Sequence, residues 1–210
     1  MRVRRSKTLR WIEYLFLICG LASVDYYIWV NVESTVSQAY QNWKFDRALK
    51  KEQTAPPRQQ GEPPHEIALD AVVGRIEIPR LNVRAIVREG DDAAILRHAV
   101  GHIPSSAFPG ELGNVALAAH RDTFFRALRN IRKNDRILVS TLNGDYEYVV
   151  QSTKIVAPTD VGVLKASAEH ELTLVTCYPF YYVGSAPQRF IVHATQVAST
   201  RPLPQQQIGS

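Results

Sequence analysis

Between residues 70 and 198 the apolar residues arrive in short runs rather than at helical spacing, and this limits the fold more than any other feature of the 210-residue chain. Segments 72–78, 83–87, 114–119, 136–142, 146–156, 171–176 and 189–195 are rich in Val, Ile, Leu, Thr and Tyr, and Pro, Gly, Asn and Asp stand between them. Such runs suit strands, whose side chains alternate between two faces. Helical patterns are confined to 91–100 and 123–131, with a turn at 160–166. Asn143-Gly144 is the dipeptide a two-residue hairpin prefers when both central residues need positive φ. Seven or eight short strands with few helices predict an all-β domain, a small barrel or a sandwich.

The N-terminus is of another kind. Five of the 25 basic residues (Arg2, Arg4, Arg5, Lys7, Arg10) fall in the first ten positions, where there is no acid. Setting them aside leaves twenty bases against twenty acids, so a phosphate-neutralising surface, and with it a nucleic-acid partner, has no support. Residues 11–30 follow, apolar but for Glu13 and Asp25 near the ends, with Trp11 and Tyr14 at one end and Tyr26, Tyr27 and Trp29 at the other. About 20 such residues span a bilayer, and aromatic residues favour its two interfaces. Base on the N-terminal side alone puts the N-terminus in the cytoplasm. The window reads as an uncleaved signal anchor; a cleaved leader would export the same residues 31–210. The expected organisation is a basic tail over 1–10, an anchor over 11–30, a juxtamembrane segment and Pro-rich tether over 31–69, a folded domain over 70–198 and a flexible tail over 199–210.

Only two cysteines occur, and Cys19 lies in the apolar window, which excludes a disulfide framework and a multi-cysteine zinc site. Cys177 ends a predicted strand just before Tyr178-Pro179, where proline must turn the chain out of the ladder. A lone thiol at a strand end is either a small buried hydrophobe or a nucleophile. A nucleophile needs a proton-transfer partner and a group to hold the oxyanion. His120 ends the run 114–119 and Arg189 opens the run 189–195, so all three can meet at one rim.

These residues carry a family likeness. Thr173-Leu174-Val175-Thr176-Cys177 matches the TLxTC signature of sortases, Pro109-Gly110-Glu111-Leu112-Gly113-Asn114 leads to Ala119-His120-Arg121-Asp122-Thr123, and Ala186-Pro187-Gln188-Arg189 follows the cysteine. Cys177-Tyr178-Pro179-Phe180 resembles the class D branch, and the likeness runs from about residue 72 to 197. It departs from the family at Ala119, where glycine is usual before the histidine, and at Asn134-Asp135, where Gly-Asp is common.

The resemblance implies an eight-stranded closed β-barrel with two or three short helices behind one transmembrane helix: a membrane-anchored cysteine transpeptidase. Cys177 would attack the Thr carbonyl of an LPxTG-like C-terminal sorting signal and form a thioester. His120 would pass protons from and to the two amines, and Arg189 would hold the oxyanion, with the Tyr178 amide as a second donor. Thr176 and Tyr178 are expected to touch substrate. Implied partners are proteins bearing the signal, an amine acceptor such as a peptidoglycan precursor stem peptide, and membrane lipid. The place is the cell membrane, with the catalytic domain outside it.

No cofactor or metal is expected. His98 and His102 have helical metal spacing but no acidic third ligand, and Glu89, Asp91 and Asp92 suit a solvated turn better than a calcium site. His193 reads as structural, and Phe124 and Phe125 as anchors of their helix. An L,D-transpeptidase would show His close before Cys, whereas Thr-Leu-Val-Thr precedes Cys177. A non-catalytic binding barrel would be free to lose Cys177, His120 and Arg189, and all three are present.

Overall fold

The computed structural model describes residues 11–25, 46–47, 68–182 and 184–200. The chain divides into two units, residues 1–40 and 41–210. In the first, residues 11–25 form a helix with Trp11, Leu15 and Phe16 exposed. The last five residues of the expected 11–30 span lie outside the described residues, and no helix among the described residues is long and apolar enough to cross a membrane. The expected basic tail, most of the tether and the tail beyond Thr200 also lie outside them.

In the second unit eight strands close into a barrel. They are β1 (Val72–Ile78), β2 (Val83–Glu89), β3 (Val100–His102), β4 (Gly113–Ala118), β5 (Arg136–Thr141), β6 (Gly144–Val156), β7 (His170–Tyr178) and β8 (Gln188–Thr200). Around the barrel the order is β1-β2-β3-β4-β7-β8-β6-β5, with β5 returning to β1. The β2–β3 and β4–β7 pairs are parallel and the other pairs antiparallel.

One alternating set of side chains fills the interior. Ile76 and Ile78, Val115 and Leu117, Ile137 and Val139, Tyr146 and Tyr148, Leu172 and Leu174, and Val192 and Ala194 are all buried in one cluster. Since successive strand residues face opposite sides, the odd-numbered residues of β7 and of β8 up to Thr195, and the even-numbered residues of β4, belong to the outer face; beyond Gln196 a bulge at Val197 reverses the parity of β8. That parity decides what reaches the site.

Several sequence-level expectations change. Three residues expected within a helix over 91–100 and its exit form β3 instead, and the helix is Ala93–His98, N-capped by Asp92, which accepts from the amides of Ala94 and Ile95 at 2.8 and 3.0 Å. The segment expected helical at 123–131 is only a 3-10 turn, Arg126–Asn130. The β5–β6 hairpin turns on Leu142 and Asn143, neither at positive φ, because Thr141 pairs with Gly144 and its hydroxyl accepts the Asn143 amide at 3.1 Å. β8 continues through Ser199 and Thr200, past the expected limit at 198, pairing them with Tyr146 and Asp145.

Other local expectations find their place. Asn134 takes the left-handed conformation, φ 72°, and delivers Asp135 to a buried site where it accepts from Arg80 Nη2 at 2.5 Å and the Arg132 amide at 2.8 Å. Gly110 has φ +93°, and a Cβ there would lie 2.4 Å from the buried Tyr146 ring, so the Pro109–Gly110 turn accepts no side chain. Ahead of the barrel, Asp46 reaches Arg75 Nη1 at 2.6 Å, so at least this part of the expected tether touches the domain.

Candidate active site

The three candidate residues come from three neighbouring strands. In the β7–β8 ladder Cys177 is paired with Arg189, which by antiparallel geometry puts their Cα atoms about 4.5–5.5 Å apart. In the parallel β4–β7 ladder Ala118 is paired with Val175. The Ala119 amide donates to the Val175 carbonyl at 3.2 Å, and the Thr176 hydroxyl donates to the Ala119 carbonyl at 2.7 Å. Extending that register two residues past Ala118 brings His120 level with Cys177. Parity puts Cys177, Arg189 and His120 on the outer face, and each is half-buried.

Each is also held locally. The His120 carbonyl accepts the amide of the fully buried Phe125 at 3.2 Å, fixing the corner after β4. The Arg189 guanidinium donates through Nη1 to the carbonyls of Gln188 at 3.1 Å and Ala186 at 3.3 Å. Cys177 is a free thiol. A nucleophile, an imidazole and a multi-donor cation so arranged are the components that acyl transfer needs. Ala119, in place of the usual glycine, is buried and stands without positive φ, so the substitution needs no backbone adjustment.

Thr176, expected to touch substrate, has its side chain on the inner parity, 2% exposed, with its hydroxyl donating to the Ala119 carbonyl, a bond that secures the β4–β7 register. Tyr178 shares that parity and stands beside Phe180 and Phe190, with ring centroids 6.0 and 6.3 Å away, and those two phenylalanines pack against the core. Phe124 also packs against the core and Phe125 belongs to it.

The other histidines separate. His102 is fully buried, its Nδ1 2.7 Å from Glu89 Oε2, its Nε2 donating to the Ala107 carbonyl at 2.9 Å and its ring stacked on Phe108. His98 is exposed, so the two do not form a ligand pair. Asp92 caps its helix, and Glu89, expected in a solvated turn, is instead buried against His102. Among the described residues no group of three or more His, Cys, Asp or Glu is gathered as a metal site.

The outer face continues away from Cys177 along β7 through Val175, Thr173 and Glu171, flanked by Ala118 and Ala116 on β4 and by Ile191 and His193 on β8. It ends in an open cleft of about 420 Å³ under the β6–β7 connection, lined by Asn114, Lys154, Lys165, Glu171 and His193 among others. Six residues of strand separate Glu171 from Cys177, roughly 20 Å. Burial holds His193 below the ordinary imidazole value, the Lys154 charge adding to this and Glu171 opposing it.

Missing from the sequence reading is Arg121. Its Nη1 donates to the Pro179 carbonyl at 3.1 Å, and its Nη2 to those of Tyr182 at 2.7 Å and Gly184 at 3.0 Å. Its adjacency to His120 is the only sequence signal that pointed there.

Comparison with known proteins gives concordant results. The sortase domain family model matches residues 76–197. Sortase D of Bacillus subtilis is 40% identical over 125 residues, 59% of this chain and 63% of that protein. Sortase A of Listeria monocytogenes is 35% identical over 112 residues, 51% of this chain and 50% of that protein. The matched region thus spans between half and two-thirds of these relatives' own length. The solved structure of Listeria monocytogenes sortase A aligns with a TM-score of 0.58 at 29% identity, covering 63% of this chain and 91% of that one. A Clostridium perfringens sortase D5 transpeptidase aligns at 0.61 with 24% identity, covering 79% and 98%, a likeness of fold.

Proposed function

The chain belongs to the sortase family, and from that membership together with the rim just described we propose that it is a membrane-anchored cysteine transpeptidase of class D type acting on C-terminal sorting signals. The observation that carries the reading is the convergence of Cys177, His120 and Arg189 on one outer face at the ends of three adjacent strands.

The substrate segment lies extended along the β4–β7–β8 face with the carbonyl of its Thr residue at Cys177. The Cys177 sulfur, as thiolate, adds to that carbonyl, and Arg189 stabilises the oxyanion with its fixed fork of donors. The carbon–nitrogen bond breaks as His120 gives its proton to the departing amine, leaving a thioester. An acceptor amine of the cell envelope, such as a peptidoglycan stem peptide, attacks the thioester and yields a proton to His120. The carbon–sulfur bond breaks, the new amide leaves and the thiolate is restored. None of these steps draws on a metal or cofactor.

Anchoring rests on residues 11–30, a window apolar enough to span a bilayer and preceded by a basic tail. Its helical part exposes its apolar side chains. The N-terminus lies in the cytoplasm, the barrel outside the membrane, and lipid surrounds the anchor.

Mass spectrometry of the protein incubated with a library of LPxTG-like peptides tests the reading. The expected result is an adduct on Cys177 equal in mass to the peptide up to its Thr residue, discharged by added amine. Absence of any adduct across the library, or an equal adduct on a Cys177→Ala variant, removes it.

A further inference from the structure

Cys177 has a flank on each side, His120 in the corner after β4 and Arg189 on β8, and the loop that leaves β7 connects to the strand that carries Arg189. Its carbonyls are held by one side chain. Arg121, the residue after His120, donates to three of them, those of Pro179, Tyr182 and Gly184, at 2.7–3.1 Å, and its guanidinium carbon lies 5.8 Å from the Tyr182 ring centroid. Further along, the carbonyls of Ala186 in the same loop and of Gln188, the first residue of β8, accept from the Arg189 guanidinium. The contacts form a continuous path from the backbone of the His120 corner, through Arg121 and the loop, to the cation that faces Cys177.

We propose that Arg121 is a positioning residue, a clamp that fixes the loop after β7 and, through that loop's carbonyls, the Arg189 guanidinium relative to Cys177 and His120. The chemistry favours arginine. A planar guanidinium offers five donors in a rigid fork and reaches three carbonyls on different residues at once, whereas an ammonium is a compact charge on a flexible stem. The three carbonyls fall outside the strand ladders, so without Arg121 the segment loses the bonds that tie it to the corner after β4. A second cation assists from the neighbouring 3-10 turn: the Arg129 guanidinium lies 5.4 Å from the Tyr181 ring centroid. The proposal rests on the transpeptidase reading for its kinetic consequence, and on the structure alone for the clamp.

The test uses the full chain as wild type, Arg121→Ala, Arg121→Lys, Arg189→Ala and the Arg121→Ala/Arg189→Ala double variant. The assays are turnover of a sorting peptide with an amine acceptor, and amide hydrogen exchange. A small displacement of a positioned group costs up to on the order of 10²-fold in rate, so kcat is expected to fall about 10- to 100-fold in Arg121→Ala while KM stays within roughly threefold. Arg121→Lys is expected not to rescue. On the Arg189→Ala background the further loss is expected to stay under about twofold, because the group being positioned is already gone. The amides of Phe180 to Tyr182 should exchange faster in both Arg121 variants while those of β1 and β4 keep wild-type rates. Unchanged kcat, a full multiplicative loss in the double variant, rescue by lysine, or faster exchange throughout the barrel would overturn the clamp. A wild-type protein with no turnover would remove the transpeptidase reading instead, and the exchange experiment would still decide whether Arg121 holds the loop.

Discussion

Cys177 and Arg189 face one another across the β7–β8 ladder, on the side of the sheet turned away from the core. Among the described residues the Arg189 side chain bonds only to the carbonyls of Ala186 and Gln188 and makes no ion pair, so its charge is not spent on bracing the barrel. If the fork holds an oxyanion, Arg189→Lys is expected to be nearly as damaging as Arg189→Ala, each losing about 10²–10³-fold in turnover, with little change in melting temperature. Steady-state kinetics beside thermal unfolding check this. Near-wild-type turnover in the lysine variant would take Arg189 out of the chemistry.

His120→Ala is expected to lose about 10²–10⁴-fold in turnover, the usual worth of general acid–base help, without loss of fold. Circular dichroism run alongside the assay separates the two effects.

The His102–Glu89 pair carries a different expectation, one of stability. Both side chains are buried, and removing one partner of a buried hydrogen-bonded pair costs about 1–3 kcal/mol because the other is left unsatisfied. His102→Ala should therefore lower the denaturation midpoint strongly, while the exposed His98→Ala leaves it in place. Urea unfolding of the two variants measures the contrast.

Asp135 makes acid stability testable. The Arg80 guanidinium holds its carboxyl below the ordinary carboxylate range, the Arg132 amide assisting and burial opposing. A depressed folded value means the stabilisation is present above the unfolded value of about 3.9 and is lost as the pH falls through the folded one. The melting temperature should decline below about pH 4. Asp135→Asn should start lower at neutral pH and lose less on acidification. Parallel pH profiles for the two proteins would sink the assignment.

Gly110→Ala should destabilise the barrel, since its methyl group would need the space of the Tyr146 ring and a positive φ besides. Overpacking of a buried site typically costs about 1–3 kcal/mol, and backbone strain adds to it. Thermal unfolding gives the comparison with wild type.

Most strand positions were legible because β-branched and aromatic runs between turn residues are a local signal. β1 has the expected bounds, while β3, three residues following a helix, is too short to show a period. Closure was not readable from local pattern: the parallel β4–β7 pairing joins segments more than fifty residues apart. The candidate triad came from three residues at predicted strand ends, to which the TLxTC likeness then gave roles; the facing of Cys177 was available from alternation alone, and the same alternation already turned Thr176 inward. Arg121 escaped notice because its role lies in bonds to carbonyls, which leave no mark on sequence.

Among the described strands β8 comes last in the chain and lies between β7 and β6, joining them. A nascent chain that ends before Gln188 therefore has an open sheet with two bare edges, and its thiol has already emerged without the arginine that faces it. Setting an arginine opposite the thiol and sealing the barrel are one event, completed by the same thirteen residues. A prematurely terminated product therefore lacks at once the closed barrel and the pairing of Cys177 with Arg189.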